Sequence, residues 1–184
     1  MKPTEQLRNE HEAIKLVLAV LEKLGSKLAS AAAVDAADMD AVLEFITVFS
    51  DRCHHGKEEG FLFPALIAAG LPSDGGPIAV MLSEHDQGRS CVKQMVEGWR
   101  RYQAGDKAAA SQLAQSAAAY IELLTAHIQK ENTVLFPIAE RVLSAETAQK
   151  IFDEFERFEV EKIGAGKHEQ FHQMPDRLRE TYLT

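Results

Sequence analysis

The chain writes one pattern twice. Residues 54–64 read HHGKEEGFLFP and residues 127–137 read HIQKENTVLFP. Each contains His, three residues, Glu, three residues, then Leu-Phe-Pro. His54 therefore matches His127, Glu58 matches Glu131 and Pro64 matches Pro137, each 73 residues on. A His and a Glu four apart lie on one face of a helix, one turn from each other. Two such turns facing each other inside a helical bundle can hold two metal ions between them. The repeat thus constrains fold and chemistry together.

The rest of the sequence reads as helix. It is rich in Ala, Leu, Glu, Lys and Gln, which are good helix formers, and it has no hairpin turn and no sustained alternation. Gly and Pro divide it into blocks. The first is expected over about Thr4–Leu28, with the apolar stripe Leu7, Ile14, Leu18 and Leu21 and His11 within it. The second starts near Asp38 or Asp40 and ends near Gly70. The third covers about Pro77–Gln103, with Met81, Leu82, His85, Val92, Met95 and Trp99 on one side and Pro77 in its first turn. The fourth runs from near Asp106 to Val142. Ser144 has the look of an N-cap for a fifth block, about Ala145–Lys162. A short sixth helix is expected over about Lys167–Met174, ended or kinked by Pro175.

Four long helices with short links predict an all-α, up-down-up-down four-helix bundle over residues 1–143, with a C-terminal helical extension over 144–184 packed on it. His11 in NEHEA and His85 in SEHDQ lie 74 apart, almost the offset of the His-Glu turns. The bundle is pseudo-twofold at the level of candidate ligands.

A chain of 184 residues with 46% apolar content can bury a sizeable core. Its net charge of −8 argues against nucleic acid or an anionic membrane surface as the main partner. There is no signal-peptide core and no run of about 18 apolar residues, so a cytoplasmic protein is expected. Two cysteines, Cys53 and Cys91, make no disulfide framework and fall on apolar stripes as reduced core residues.

The polar residues on or beside core-facing stripes are His11, His54, Glu58, His85, His127 and Glu131. Neutral imidazole suits iron, zinc, copper and nickel. Two carboxylates reaching in from opposing helices can bridge a pair of cations, whereas two ionised carboxylates alone in an apolar core would be costly to bury. The mixed nitrogen and oxygen set, without thiolate, favours a non-haem di-iron or di-manganese centre over a Cys-rich zinc site. The His-x-x-x-Glu order departs from the Glu-x-x-His pairs of ferritin-like bundles.

His11, His54-xxx-Glu58, His85 and His127-xxx-Glu131, with Leu-Phe-Pro after each Glu, resemble the hemerythrin and HHE cation-binding family over about residues 5–140. The resemblance implies two Fe ions, oxo- or hydroxo-bridged, with Glu58 and Glu131 bridging and manganese or zinc as substitutes. Oxygen-carrying hemerythrins of invertebrates use five His, one Glu and one Asp, two of the His standing four apart on the third helix. Here Met81 stands four before His85, and the second carboxylate is Glu131 at the fourth position after His127, not an Asp at the fifth. The sequence is closer to the HHE branch, which includes iron- and oxygen-sensing domains and iron–sulfur repair proteins.

Three further features compete for a role. His55 and Glu59 form a second His-x-x-x-Glu pair, shifted by one. At about 100° per residue, His55 falls roughly opposite the stripe Val42, Ile46, Phe49 and Cys53, so it is expected in solvent. Residues 168–172, HEQFH, match the zinc-protease pattern H-E-x-x-H, but Pro175 and Leu178 stand where a metzincin would place its Gly and third His. His168 is instead a candidate fifth imidazole folding back to the site; the alternative is a surface helix capping the bundle end. Gly88, one turn after His85, is expected to leave room for a small ligand or a channel.

The resulting expectation is a hemerythrin-like di-iron protein that binds or senses dioxygen or a related small molecule such as NO or peroxide, as a monomer or homodimer, with no nucleic-acid or membrane partner. A di-iron redox enzyme acting on NO or peroxide or repairing iron–sulfur clusters, and an iron store or iron-responsive module, are the alternatives.

Overall fold

The computed structural model describes residues 2–162 and 164–184; the side chains of residues 165–169 and 172 lie outside the description. Six helices and no strand occur among the described residues. Helix α1 is Pro3–Ala29. Helix α2 spans residues 36–68 and changes winding on the way: α-helical over Ala36–Glu44, π-helical over Phe45–His55 and again over Glu58–Leu62, then α-helical over Phe63–Ala68. Helix α3 is Pro77–Gln103. Helix α4 spans 109–142, with a π-helical turn at Glu131–Leu135 between Ala109–Lys130 and Phe136–Val142. Helices α5 (Ala145–Lys162) and α6 (Ala165–Tyr182) complete the chain. No helix among the described residues is long and apolar enough to cross a membrane.

Helices α1 to α4 form a closed ring, each packed on the next and α4 on α1. This is the expected all-α bundle. Pro77 sits in the first turn of α3, and Ser144 Oγ accepts from the Thr147 amide at 3.1 Å to cap α5. Helix α5 packs on α1 and on the middle of α2, while α6 runs along α1. Helix α6 is longer than expected. Pro175 lies inside it, buried, and the helix continues past it. The carbonyl bond that a proline removes is outweighed by packing: Phe171 and Leu178 are buried against the bundle core, and Arg177 and Tyr182 both bond Asp38 of α2.

The core divides into two apolar clusters. The larger contains Ile14, Leu21, Phe45, Phe49, Met95, Trp99, Leu124 and Ile128. The smaller contains Leu7, Leu62, Phe63, Met81, Leu135, Phe136 and Phe155. Along every bundle helix the expected ligands fall between a residue of one cluster and a residue of the other. His11 lies between Leu7 and Ile14, and Glu131 between Ile128 and Leu135. A polar layer is therefore sealed between two dry ones. Leu82, placed on the inner stripe of α3 by its spacing, is instead exposed.

Candidate metal centre

All six residues of the expected constellation with described side chains meet in that layer. His11, His54, Glu58, His85, His127 and Glu131 are each at most 1% exposed. Ligand atoms of His11, His54, Glu58 and Glu131 lie within 4.8 Å of one another, and so do those of His55, Glu58, His85 and His127. These are two groups able to hold a metal ion, sharing Glu58. One oxygen of Glu58 faces His54 Nε2 at 3.7 Å and the other faces His85 Nε2 at 3.4 Å. Glu131 Oε2 stands 3.2 Å from His11 Nε2 and 3.4 Å from His127 Nε2.

The outer nitrogen of four rings is spoken for. Nδ1 of His54 donates to Glu10 Oε2 at 2.8 Å, that of His127 to Glu84 Oε2 at 2.9 Å, that of His85 to Glu59 Oε1 at 2.7 Å and that of His11 to Asn132 Oδ1 at 3.0 Å. An ionised carboxylate and an amide oxygen both only accept, so each such bond places a ring proton on Nδ1 and, in the neutral ring, leaves the Nε2 lone pair pointing inward. The Nε2 atoms then face each other in pairs, His11 with His54 at 3.1 Å and His85 with His127 at 3.2 Å. Two facing lone pairs need a cation between them. Two nitrogens bound at about 2.1 Å and at a right angle stand about 3 Å apart, so the spacing fits one ion per pair.

The remaining polar atoms agree. Neither carboxylate oxygen of Glu58 or Glu131, and neither ring nitrogen of His55, makes a hydrogen bond among the described residues, although all are buried; His55 Nδ1 has only a 3.5 Å contact with Asp51 Oδ1. Orphaned buried groups of this kind call for a ligand. Protons partly stand in for it. Burial and the charge of Glu131 push the Glu58 carboxyl well up. Burial would lower His85, but its contacts with Glu58 and Glu59 carry it up to about 9. Burial holds His54 and His55 well below the usual imidazole range, so both are neutral and able to ligate.

His55 corrects the sequence reading. It is 3% exposed, stacks on His85 with ring centroids 3.9 Å apart and stands edge-on to His127 at 5.6 Å. The rotation of 100° per residue assumes an α-helix, whereas Phe45–His55 is π-helical. A turn closed by i→i+5 bonds takes more residues, so each residue rotates less and the register shifts. The opposite side of α2 is also covered: a Cβ on Gly56 would stand 2.9 Å from Phe158 Cζ of α5. His55 is thus a fifth imidazole at the site. The side chain of His168, the fifth imidazole expected from sequence, lies outside the described residues. The space beside Gly88 is taken by Tyr120 and Leu123, at 3.7 and 4.0 Å from an added Cβ, which removes the expected channel there.

The Leu-Phe-Pro segments seal the layer. Phe136 stacks on His11, with centroids 5.5 Å apart, and Phe63 stacks on His85 at 5.8 Å. Neither Pro64 nor Pro137 ends its helix; each follows a π-helical turn and opens the next α-helical segment. Sequence reasoning missed the ring-orienting residues Glu10, Glu84, Glu59 and Asn132. Their signal was in the repeat: Glu precedes His11 and His85, and the residue after each repeated Glu is Glu59 or Asn132. Cys53 is buried and its thiol is pushed up to about 12 by burial, as suits a core residue; Cys91 is half-buried, and both are free.

A four-helix bundle whose polar layer offers five imidazoles and two carboxylates defines a cation-binding bundle protein. The chain matches the hemerythrin HHE cation-binding domain over residues 2–139, and it belongs to that family. It is also 29% identical over 160 residues to proteins of Mycobacterium bovis and of Mycobacterium tuberculosis that are described as uncharacterized, covering 87% of this chain. The chain spans about three-fifths (62%) of the length of the curated relatives it matches.

Proposed function

We propose that the chain holds two iron ions and uses them to bind or sense dioxygen or a related small molecule such as NO or peroxide. The observation that carries this reading is the paired, inward-facing Nε2 atoms above buried carboxylates whose oxygens make no hydrogen bond. His11 and His54 hold one ion with Glu131, and His55, His85 and His127 hold the other. Glu58 bridges the two, helped by Glu131. When bound, such a pair supplies electrons and an open coordination position to a small ligand. The smaller supply of nitrogens at His11 and His54 favours that half as the place where a small ligand would bind. Glu10, Asn132, Glu59 and Glu84 fix the rings, and Phe63 and Phe136 keep water from them.

A turnover reading, in which NO or peroxide is reduced, draws on one observation. Beside His55 and His85 lies a partly exposed ionic network: Arg89 bonds Asp51 at 2.8 Å and Glu59 at 2.6 Å. Such an edge can pass protons between solvent and the site.

Metal analysis of protein purified without oxygen is expected to return close to two irons per chain; zinc alone, or no metal, overturns the di-iron reading. Exposing the reduced protein to dioxygen is expected to give a charge-transfer band that persists for minutes and is reversed under vacuum. Immediate loss of the band on mixing favours turnover.

A further inference from the structure

Lys57 is the one lysine or arginine that is buried among the described residues. It immediately precedes the bridging Glu58, and it is 0% exposed. Its ammonium donates to Glu10 Oε1 at 2.6 Å and to Glu159 Oε1 of α5, and it lies 5.7 Å from the centre of the Phe155 ring, also on α5. Glu159 Oε1 accepts as well from Gln6 Nε2 of α1 at 2.8 Å. The other oxygen of Glu10 is the one that orients His54. An unbroken series of charged hydrogen bonds therefore runs from α5 through Lys57 and Glu10 to the ring of His54.

The other half of the site has the same inner part without the outer one. Lys130 precedes Glu131 and donates to Glu84, whose second oxygen orients His127. Lys130 is 41% exposed, however, and its one ion pair among the described residues is with Glu84. Among the described residues, the C-terminal helices add a charged partner to the lysine of one half only.

We propose that Glu159 and Lys57 are positioning residues through which the docking of α5 is coupled to cation binding at His11 and His54. The inference rests on the metal reading above. Its direction follows from elementary chemistry. A cation on Nε2 draws electrons from the His54 ring and strengthens its Nδ1–H bond to Glu10. Glu10 so held keeps Lys57 in place, and a buried ammonium requires both of its carboxylates. The seat for Glu159 is then complete. Linkage makes the coupling reciprocal: a docked α5 raises cation affinity by the factor by which the cation favours docking. Helix α5 then reports on, and is held by, one of two ions.

Amide hydrogen exchange of residues 145–162, with two equivalents of ferrous ion and with a chelator under anaerobic conditions, tests this beside a direct iron titration. In the unaltered chain, iron is expected to slow exchange there by about tenfold or more. Glu159→Gln keeps the shape and removes the charge; it is expected to abolish that response and to weaken one of two ions about tenfold. Lys130→Met, at the symmetry-related position, is expected to weaken one ion with the response intact. Equal exchange with and without iron in the unaltered chain overturns the coupling whatever the variants do. A Glu159→Gln chain that binds both ions normally and keeps the response also overturns it. Failure to bind iron at all removes the metal reading and the coupling with it, and the titration tells that case apart.

Discussion

In the first half of the metal layer, Glu10 holds His54, Asn132 holds His11 and Phe136 covers His11. In the second, Glu84 holds His127, Glu59 holds His85 and Phe63 covers His85. The two sets occupy matching places in the repeat, down to Lys57 and Lys130. Three differences separate them. The second half has His55 where the first has Ile128. It uses a charged carboxylate, tied to Arg89, where the first uses a neutral amide. Its lysine is open to solvent, whereas Lys57 is sealed under α5. The shared residues specify the capacity to hold an ion. The departures make one position nitrogen-rich with a wet edge and the other nitrogen-poor and dry. Such a division is what a site needs if one ion is to be fixed and the other is to exchange ligands.

The comparison breaks most completely at Glu58, because it belongs to both groups. Glu58→Gln is expected to weaken both ions, at least about 100-fold each, exceeding the usual cost of losing an orienting partner. Glu131→Gln should fall mainly on the ion at His11 and His54. Equal losses from the two changes, measured by iron titration, would show that the carboxylates bridge evenly.

His55→Ile gives the second half the residue of the first. The ion at His85 and His127 is expected to bind about 10–100-fold more weakly, with the other ion unaffected. The same change removes two buried nitrogens that make no hydrogen bond, Nδ1 having only the 3.5 Å contact with Asp51 Oδ1. The metal-free protein should then gain about 1 kcal/mol in thermal or urea unfolding. Loss of metal affinity together with greater metal-free stability is the signature of a ligand; loss of both would mark His55 as packing.

How much of this was legible in the sequence varies with the physics of each residue. The four-helix bundle and the six inner candidate ligands follow from a repeat at an offset of 73 or 74 and from stripes that keep α-helical spacing. Glu10, Glu84, Glu59 and Asn132 were equally visible in the repeat, but nothing in a sequence says that a polar neighbour of a ligand turns inward to hold a ring on another helix. His55 was illegible for a different reason. Winding sets which way a residue faces, and π-helical winding leaves no simple mark in composition. Pro175 misled in the opposite sense: its local cost is real, yet Leu178, Arg177 and Tyr182 hold the helix beyond it.

A smaller effect is expected from Glu59→Asn, which replaces the carboxylate on His85 with the amide found on the first half. The ring keeps an acceptor, so the affinity of that ion should fall about tenfold. Arg89 retains Asp51 at 2.8 Å, so the fold should be unaffected. Circular dichroism and the iron titration together check both parts.

The smallest effect lies at the far end of α6, which packs along α1 and is tied to Asp38 of α2. Tyr182 donates to Asp38 Oδ2 at 2.7 Å and Arg177 to Asp38 Oδ1 at 2.8 Å. Burial would raise the Asp38 carboxyl, but these two donors bring it below its ordinary value. A carboxylate lowered on folding contributes its stability above the ordinary carboxylate range and loses it as pH falls through the folded value. The tether should therefore be at full strength at neutral pH and fade only in acid. Tyr182→Phe is expected to cost about 1 kcal/mol at pH 7 and progressively less below pH about 4. If α6 docks on its own, exchange rises only near residues 176–182. If α5 and α6 dock as one body, it rises back to Glu159, and the ion at His11 and His54 weakens with it while the other does not.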